Sequence, residues 1–302
     1  PPDLEKAFGY FEKAIKIDPE YSLAYSGLAD SYSLLTYFEM YAPHELIESA
    51  RSAASKAIEL DNNSAEAHTA MAIYKLMFEF DWDAIEFHFL KAIEINPRYG
   101  IAQYIYGSHL AAIGRSKESF EVGRIALDLD PLNLALNGNV ARSLYVSRRY
   151  DEAIALALKN LEISPNFFFT NWVLGVCYRQ TGRLDEAIEH LTSAVAASGI
   201  FGLKGDLGVA LAKAGRDEEA RSVLAELEAE SKKRYVSPVW HAVICAALGE
   251  KDRAIAYLKQ AWDLRAMQLL WLKVDPNFDS LRDEPDFQEI LAKLDLPDGT
   301  AK

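Results

Sequence analysis

Residues able to bind a metal or transfer a proton are scattered along this 302-residue sequence. No histidine has a second one three or four positions on, as two metal ligands on one helix face would require. Glycine-rich phosphate loops and the His-Glu-x-x-His, Cys-x-x-Cys and Gly-x-Ser-x-Gly motifs are also missing. The sequence therefore predicts no metal, no cofactor and no catalytic residue, and we expect ordinary core or surface histidines. The histidines are His44, His68, His88, His109, His190 and His241.

Neighbouring acidic residues could act as a general acid and base, as at Asp151-Glu152, Asp185-Glu186 and Glu218-Glu219. Each pair begins a predicted helix, where carboxylates interact favourably with the helix dipole, and that position explains them without any chemistry. Cys177 and Cys245 are far apart in apolar helical stretches and are expected to be small core residues. An enzyme built on these groups has no motif to support it.

The elements that would position any site follow from the spacing of proline and glycine. Three prolines recur at intervals of 34 residues: Pro97, Pro131 and Pro165. Three glycines recur at intervals of 33 and 34 residues: Gly182, Gly215 and Gly249. A proline cannot continue a helix but suits the first turn of the next one, and glycine suits a tight turn. This punctuation predicts a repeated pair of antiparallel helices.

Residues 168–199 are the clearest copy of the repeated unit. Small and large residues alternate as two closely packed helices require: Leu174, Gly175, Tyr178, Gly182, Ala187, Leu191 and Ala194. In this pattern and in its period the chain resembles the tetratricopeptide repeat (TPR) family, with Trp172 shifted by one from the expected place. The resemblance implies an all-α fold, a right-handed α-α superhelix or TPR solenoid. Each hairpin alone leaves an apolar face exposed, so the hairpins must stack.

Counting outward in phase predicts about seven hairpins across residues 19–265. They span 21–60, 64–95, 98–129, 132–163, 166–197, 200–231 and 236–265. Residues 1–18 are predicted to be the second helix of a repeat whose first helix lies before Pro1, because apolar residues recur there at helical spacing. Residues 266–302 are predicted to be a C-terminal capping segment that shields the last hairpin.

The first hairpin is longer than the others. Pro19 to Asn62 spans 43 residues, nine more than the period, and the excess falls at residues 37–41. One interpretation is a pair of longer helices joined by a packed aromatic turn. The other is a docking or dimerisation surface formed by Tyr37, Phe38, Met40 and Tyr41.

Several stretches resemble the TPR regions of bacterial multidomain regulators. They are Ile17-Asp18-Pro19 with residues 24–30, Phe80-Asp81-Trp82-Asp83, residues 234–238, residues 271–276 and residues 278–282. In those regulators the array follows a winged-helix DNA-binding domain, a Ser/Thr kinase domain or an adenylate cyclase domain. The resemblance implies a sensory or protein-interaction module.

Side chains one turn from the packing positions of the first helices should point into a concave groove. In the middle hairpins they are Tyr104, Asn139, Arg142, Tyr145, Phe169, Trp172 and Arg179. Aromatic residues and arginine contribute most of the binding energy at protein interfaces, so this set is predicted to bind a partner. Arg142 and Arg179 would pair with acidic groups of that partner. The alternative is that Tyr104, Phe169 and Trp172 only pack against neighbouring hairpins.

The composition restricts the class of partner. A formal net charge of −13 argues against nucleic acid, because such proteins present clustered Lys and Arg. No apolar run approaches the ~18 residues of a bilayer-spanning helix. We therefore expect a cytoplasmic, non-catalytic module that binds a peptide or protein, as the regulatory part of a larger bacterial signalling or transcription regulator. The alternative is that the chain self-associates, for example as a homodimer, and so dimerises an upstream effector domain.

Overall fold

The computed structural model describes residues 2–297 and consists of α-helices joined by short turns. Parts of the predicted segments 1–18 and 266–302, namely Pro1 and residues 298–302, lie outside the described residues. The chain divides into two compact units, the first up to Tyr106 and the second from Gly107.

The first unit begins with α1 (Pro2–Ile17) and continues with the hairpins α2 (Ser22–Tyr37) with α3 (Pro43–Leu60) and α4 (Ala65–Tyr74) with α5 (Trp82–Ile95). A π-helical turn, Lys75–Glu79, extends α4, and Phe80 after it has a left-handed backbone. The next helix, α6 (Gly100–Ala112), contains the boundary between the units. Helix α1 packs on α2.

The second unit continues the same succession of hairpins. After α6 its helices are α7 (Ser116–Leu129), α8 (Leu134–Val146), α9 (Tyr150–Ile163), α10 (Phe168–Gln180), α11 (Leu184–Ser198), α12 (Lys204–Lys213), α13 (Asp217–Ser231), α14 (Pro238–Ala247), α15 (Lys251–Asp263) and α16 (Pro285–Leu294). Three 3₁₀ helices, Phe201–Leu203, Met267–Trp271 and Pro276–Leu281, lie between them. The prediction of an all-α fold built from helical hairpins is confirmed.

Glycine occupies most of the turns inside the hairpins because the backbone there is left-handed. The φ angles are +90° at Gly114, +81° at Gly182, +73° at Gly215 and +78° at Gly249. Arg148 takes the same conformation in the α8–α9 turn, with φ +61°. A side chain in this conformation costs about 1–2 kcal/mol, so Arg148 must gain something from its position.

Close contact between the two helices of a hairpin explains the small residues of the repeat. A Cβ atom on Gly175 of α10 would lie 2.5 Å from Leu191 Cγ of α11, nearer than two carbon atoms can approach. Leu174 and Ala187 are fully buried beside this contact. The small and large pattern seen in the sequence is therefore the packing pattern of the α10–α11 hairpin.

The acidic residues at the start of the second helices are held by arginines three positions earlier. In each case the guanidinium donates two hydrogen bonds to one carboxylate. The pairs are Arg115 with Glu118, Arg149 with Glu152, Arg183 with Glu186 and Arg216 with Glu219. These carboxylates thus have a structural partner as well as a favourable helix position.

The lengthened turn of the first hairpin contains packed and exposed aromatic residues. Tyr37 and Phe38 are partly buried and make an edge-to-face contact, with ring centroids 5.3 Å apart. Met40 is also partly buried, whereas Tyr41 is 44% exposed. Tyr41 is therefore the member of this set with most of its surface available.

None of the helices formed by residues 2–297 combines the length and the apolar character that crossing a membrane requires.

Candidate functional site

The first helices of the hairpins in the second unit form one continuous surface. Helix α8 contacts α10, α10 contacts α12, and α12 contacts α14. We call the surface formed by these four helices the inner face. The predicted groove residues between Asn139 and Arg179 lie on α8 and α10. Their contacts on the inner face therefore determine which of them could bind a partner.

The centre of the inner face is a buried ion pair. Arg179 on α10 and Asp206 on α12 are each 2% exposed, and Arg179 Nη1 lies 3.0 Å from Asp206 Oδ1. Arg179 Nη1 also donates to the backbone carbonyl of Asp206 at 3.0 Å. A buried charge is tolerated only when it is paired and hydrogen-bonded, and this geometry supplies both.

Two aromatic residues of α10 lie beside the ion pair. The rings of Phe169 and Trp172 stack, with centroids 5.6 Å apart and an angle of 22° between the planes. Trp172 is partly buried and donates from Nε1 to Asp206 Oδ2 at 2.7 Å. Phe169 is 7% exposed and belongs to the hydrophobic core. Both residues therefore pack within the hairpin array, and Trp172 retains some exposed surface.

Arg142 on α8 lies between two aromatic rings. Its guanidinium carbon is 5.5 Å from the centroid of Phe169 and 4.3 Å from that of Trp271. Nη2 donates to Ser108 Oγ at 2.5 Å and to Asn139 Oδ1 at 2.7 Å. A guanidinium at these distances from ring faces is attracted by the ring quadrupole. Two aromatic rings and two hydrogen bonds thus hold the guanidinium of Arg142 in place.

The segment that follows α15 returns across the inner face. We call residues 267–281, which include the last two 3₁₀ helices, the return segment. Tyr145 of α8 donates to Asp275 Oδ1 at 3.3 Å. Asn277 accepts from Arg179 Nη2 at 2.7 Å and donates to Asp206 Oδ1 at 3.1 Å. The return segment therefore adds two hydrogen bonds to the central ion pair, while the buried Arg179 Nε has no hydrogen-bond partner among residues 2–297.

Further contacts hold the return segment against the hairpin turns. Arg148 Nη2 donates to Asp279 Oδ1 at 2.8 Å, which gives the left-handed turn residue its partner. Val274 packs against the core beside Gly114. Arg282 donates to the backbone carbonyls of Lys273 at 2.7 Å and Asp275 at 3.1 Å, so the segment is also braced internally.

Burial changes the acidity of two groups where the return segment meets α8. Desolvation, together with the nearby Asp206 carboxylate, raises the pKa of Asp275 to about 6. Desolvation also raises the pKa of Tyr145 well above its usual range, so the phenol stays protonated and donates. Removing a carboxyl from water disfavours its charged form. The Asp275 contact is therefore the part of this surface that responds to mildly acidic pH.

The predicted groove residues are brought together only in part. Asn139, Arg142, Tyr145, Phe169, Trp172 and Arg179 lie on the inner face of the second unit. Tyr104 belongs to the first unit, where it is partly buried. Arg179, expected to pair with acidic groups of a partner, is buried against Asp206 because the next first helix supplies a carboxylate. Partner binding by this set stays a prediction.

Sequence reasoning missed four residues of this surface. Asp206 lies 34 residues after Trp172, at the equivalent position of the next first helix, and that spacing was the available signal. Trp271, Asp275 and Asn277 lie in the stretch that was assigned to a cap. Beyond shielding the last hairpin through α16, that stretch contacts α8, α10 and α12.

The remaining reactive side chains occupy structural positions. Cys177 and Cys245 are buried, and burial raises the pKa of each thiol to about 12, which keeps the sulfur protonated. His68 Nδ1 lies 2.8 Å from His88 Nδ1, and burial lowers the pKa of His88 to about 4. Within residues 2–297 no group of three or more His, Cys, Asp or Glu side chains is arranged to hold a metal ion.

Comparison with known proteins finds a match to a repeat family and a similarity to a transcriptional regulator. Residues 170–199 match the family model described as Tetratricopeptide repeat. The chain is also similar to the transcriptional regulator HilA of Salmonella paratyphi A (strain ATCC 9150 / SARB42), 24% identical over 156 residues. That match covers 52% of this chain and 28% of the relative, so the chain spans about a quarter of the relative's length.

Two solved structures are similar to this chain. PilW, a widely conserved type IV pilus biogenesis factor, is 19% identical with a TM-score of 0.52, covering 67% of this chain and 93% of that one. YrrB, a TPR protein with an unusual peptide-binding site, is 22% identical with a TM-score of 0.41, covering 62% of this chain and 91% of that one. Residues 170–199 are a tetratricopeptide repeat, and the chain has the fold of tetratricopeptide-repeat proteins.

Proposed function

We propose that this chain is a non-catalytic protein-interaction module whose inner face binds a peptide or protein segment. The observation that carries the proposal is that the inner face already binds a non-α-helical stretch of polypeptide, the return segment. The side chains that contact it include two arginines, Arg142 and Arg179, and the aromatic Tyr145. Arginine and aromatic residues are the types that contribute most of the binding energy at interfaces. A partner would use the same groups together with the partly exposed Asn139 and Trp172.

The module is proposed to be the regulatory part of a larger cytoplasmic regulator in a bacterium. The similarity to HilA, a transcriptional regulator, supports this setting. Partner binding to the array would then be transmitted to an effector domain elsewhere in the protein. The formal charge of −13 supports a protein partner over nucleic acid for this segment.

Site-specific photocrosslinking from the two sides of one hairpin tests the proposal. A benzoylphenylalanine replaces Asn139 on α8 in one variant, and the exposed Glu162 on α9 in the matched control. Each full chain is irradiated in lysate of its host, and adducts are identified by mass spectrometry. We expect a discrete adduct with a separate protein from position 139 and none from position 162.

Equal adducts from both positions, or none from position 139, would contradict binding on the inner face. Arg142→Ala in the position 139 variant should reduce the adduct, because Arg142 is still held on the same surface by its hydrogen bond to Ser108 after Asn139 has been replaced. An adduct that survives this substitution would place the partner elsewhere.

Self-association is the second candidate function, favoured by the exposed Tyr41. Burial of this residue and its neighbours Tyr37, Phe38 and Met40 between two copies would form a dimer that joins two effector domains. Light scattering at increasing concentration measures it. We expect Tyr41→Asp to abolish a wild-type dimer, and a strictly monomeric wild type would exclude this function.

A further inference from the structure

The return segment is fixed at its two ends and held by polar contacts between them. Leu272 is fully buried and Phe278 is 1% exposed, the latter against Phe287 of α16. Between these residues Pro276 is buried, whereas Lys273, Val274, Asp275 and Asn277 are partly exposed. Displacing this centre therefore means breaking its polar contacts and removing Val274 from the core beside Gly114.

The inner face offers three contacts to the return segment, and none depends on the covalent link. Arg142 lies over the ring of Trp271 at 4.3 Å. Tyr145 donates to the carboxylate of Asp275 at 3.3 Å. Arg179 and Asp206 hold opposite ends of the Asn277 amide at 2.7 and 3.1 Å. A separate chain with the same groups at the same spacing could make all three.

The backbone of the segment is shaped for these contacts. Asp275 Oδ1 accepts from the backbone N–H of Asn277 at 2.9 Å, and Pro276 starts the 3₁₀ helix that follows. A short Asp-Pro-Asn turn of this kind fixes the carboxylate and the amide relative to each other. The recognised unit is therefore an aromatic residue followed four positions later by Asp-Pro-Asn.

We propose that residues 271–279 are an intramolecular ligand that occupies the inner face until a partner segment of the same chemistry replaces it. The partner carries an aromatic residue and, four positions later, an Asp-Pro-Asn turn. This inference rests on the proposed function and specifies its ligand and its regulation. It assigns the residues that follow α15 a role in controlling access, beyond their role as a cap.

Tethering determines how strongly the segment competes. A ligand joined by a short linker has an effective concentration on the order of millimolar. A partner's apparent affinity falls in proportion to the fraction of molecules whose face is open. Weakening the segment's own contacts should therefore strengthen partner binding, although no group of the inner face has changed.

The test measures binding of a fluorescein-labelled peptide with the sequence of residues 271–279 to the full chain by fluorescence anisotropy. The double variant Trp271→Ala with Asn277→Ala removes two of the tethered segment's contacts and changes no residue of α8, α10, α12 or α14. We expect this variant to bind the wild-type peptide at least about tenfold more tightly than the wild-type chain does. Hydrogen exchange should show the variant's own segment exposed and α8 and α10 protected when peptide is bound.

Two controls isolate the effect. Lys259→Ala with Asp286→Ala removes an exposed ion pair between α15 and α16, near the same end of the chain, and should leave peptide affinity at the wild-type value. A peptide carrying both alanines should bind the double variant at least tenfold less tightly than the wild-type peptide. If the double variant fails to fold by circular dichroism, Asn277→Ala alone is measured, with a smaller increase expected.

Equal peptide affinity for the wild-type chain and the folded variant would overturn the inference, as would a variant that instead forms dimers by exchanging segments. The proposed function fails separately. If position 139 crosslinks a partner but the peptide result is negative, the inner face binds proteins beside a permanent segment. If the peptide result is positive but no partner is crosslinked, the intramolecular ligand stands and the proposed partner binding does not.

Discussion

Two aspartates on first helices, Asp30 in the first unit and Asp206 in the second, have opposite surroundings. Asp206 accepts hydrogen bonds from Arg179, Trp172 and Asn277. Asp30 on α2 has a buried Oδ1 for which residues 2–297 offer no hydrogen-bond partner, and burial raises its pKa to about 7. The same residue type is thus a satisfied ion-pair partner in one unit and an unsatisfied acid in the other.

The difference comes from what the rest of the chain supplies. In the second unit an arginine of the preceding first helix and an asparagine of the return segment converge on one carboxylate. A buried polar atom left without a partner costs about 1–3 kcal/mol, whereas the hydrogen bonds of a connected network confer rigidity. We therefore expect the stability of the second unit to depend on its network. The stability of the first unit should increase when its buried acid is removed.

Breaking the satisfied pair should give the largest effect. Arg179→Ala leaves Asp206 buried without its countercharge, so we expect the free energy of unfolding to fall by about 3–5 kcal/mol. Urea denaturation followed by circular dichroism measures it. The control Arg183→Ala, which removes an exposed arginine paired with Glu186, should cost under about 1 kcal/mol. Equal losses in the two variants would mean that the buried pair is not special.

Removing the unsatisfied acid should have the opposite sign. The folded pKa of Asp30, about 7, lies above its ordinary value of 3.8, so its contribution to stability is fully present below pH ~4 and lost as pH rises through about 7. Asp30→Asn should therefore stabilise the chain by about 1–3 kcal/mol at pH 8 and by much less at pH 4.

Melting temperatures across this pH range measure the Asp30 effect. Glu12→Gln, at an exposed position of α1, should change stability by less than about 0.5 kcal/mol and serves as the control. Destabilisation by Asp30→Asn at pH 8 would mean that the carboxylate has a partner in solution.

Asp275 provides an intermediate case, because it has partners and also a raised pKa of about 6. Asp206 opposes its ionisation, while Arg179, Tyr145 and the nearby Lys213 favour it. Its contribution to stability is present below pH ~4 and lost as pH rises through about 6. Asp275→Asn should reduce this loss, by about 1–2 kcal/mol between pH 4 and 7.5. Parallel pH profiles for the variant and the wild type would contradict the assignment.

The exposed ion pairs at the start of the second helices should have the smallest effect on stability. Glu152→Gln removes one charge from the Arg149 pair, and surface pairs are worth little because water screens them. We expect a loss of about 0.3–0.5 kcal/mol, diminishing at 1 M salt. A loss approaching that of Arg179→Ala would show that exposure does not explain the difference between the pairs.

The hairpins were predictable because their turns are encoded locally. Gly182, Gly215 and Gly249 mark backbone conformations that other residues adopt only at a cost, so their spacing carries the repeat. Helix α8 lacks such a glycine at its end, yet the period still located it, although nothing in the sequence indicated that Arg148 holds Asp279.

The network on the inner face was not predictable by the same means. Arg179 is 27 residues from Asp206 and 98 from Asn277, and only the stacked hairpins bring the three together. A search at repeat spacing could have found Asp206 opposite Trp172. The return segment leaves the repeat, and its path depends on long-range hydrogen bonds that no local pattern specifies.

The position of the return segment in the sequence has a consequence for biosynthesis. Asn277 emerges from the ribosome 98 residues after Arg179, which at about 5–20 residues per second is a delay of roughly 5–20 s. Asp206 follows Arg179 after 27 residues, so the ion pair can form early and the hairpins can stack. While the residues between Arg179 and Asn277 are synthesised, the nascent chain therefore presents an uncovered inner face, and molecular chaperones or the partner itself can reach it before the chain's own ligand exists.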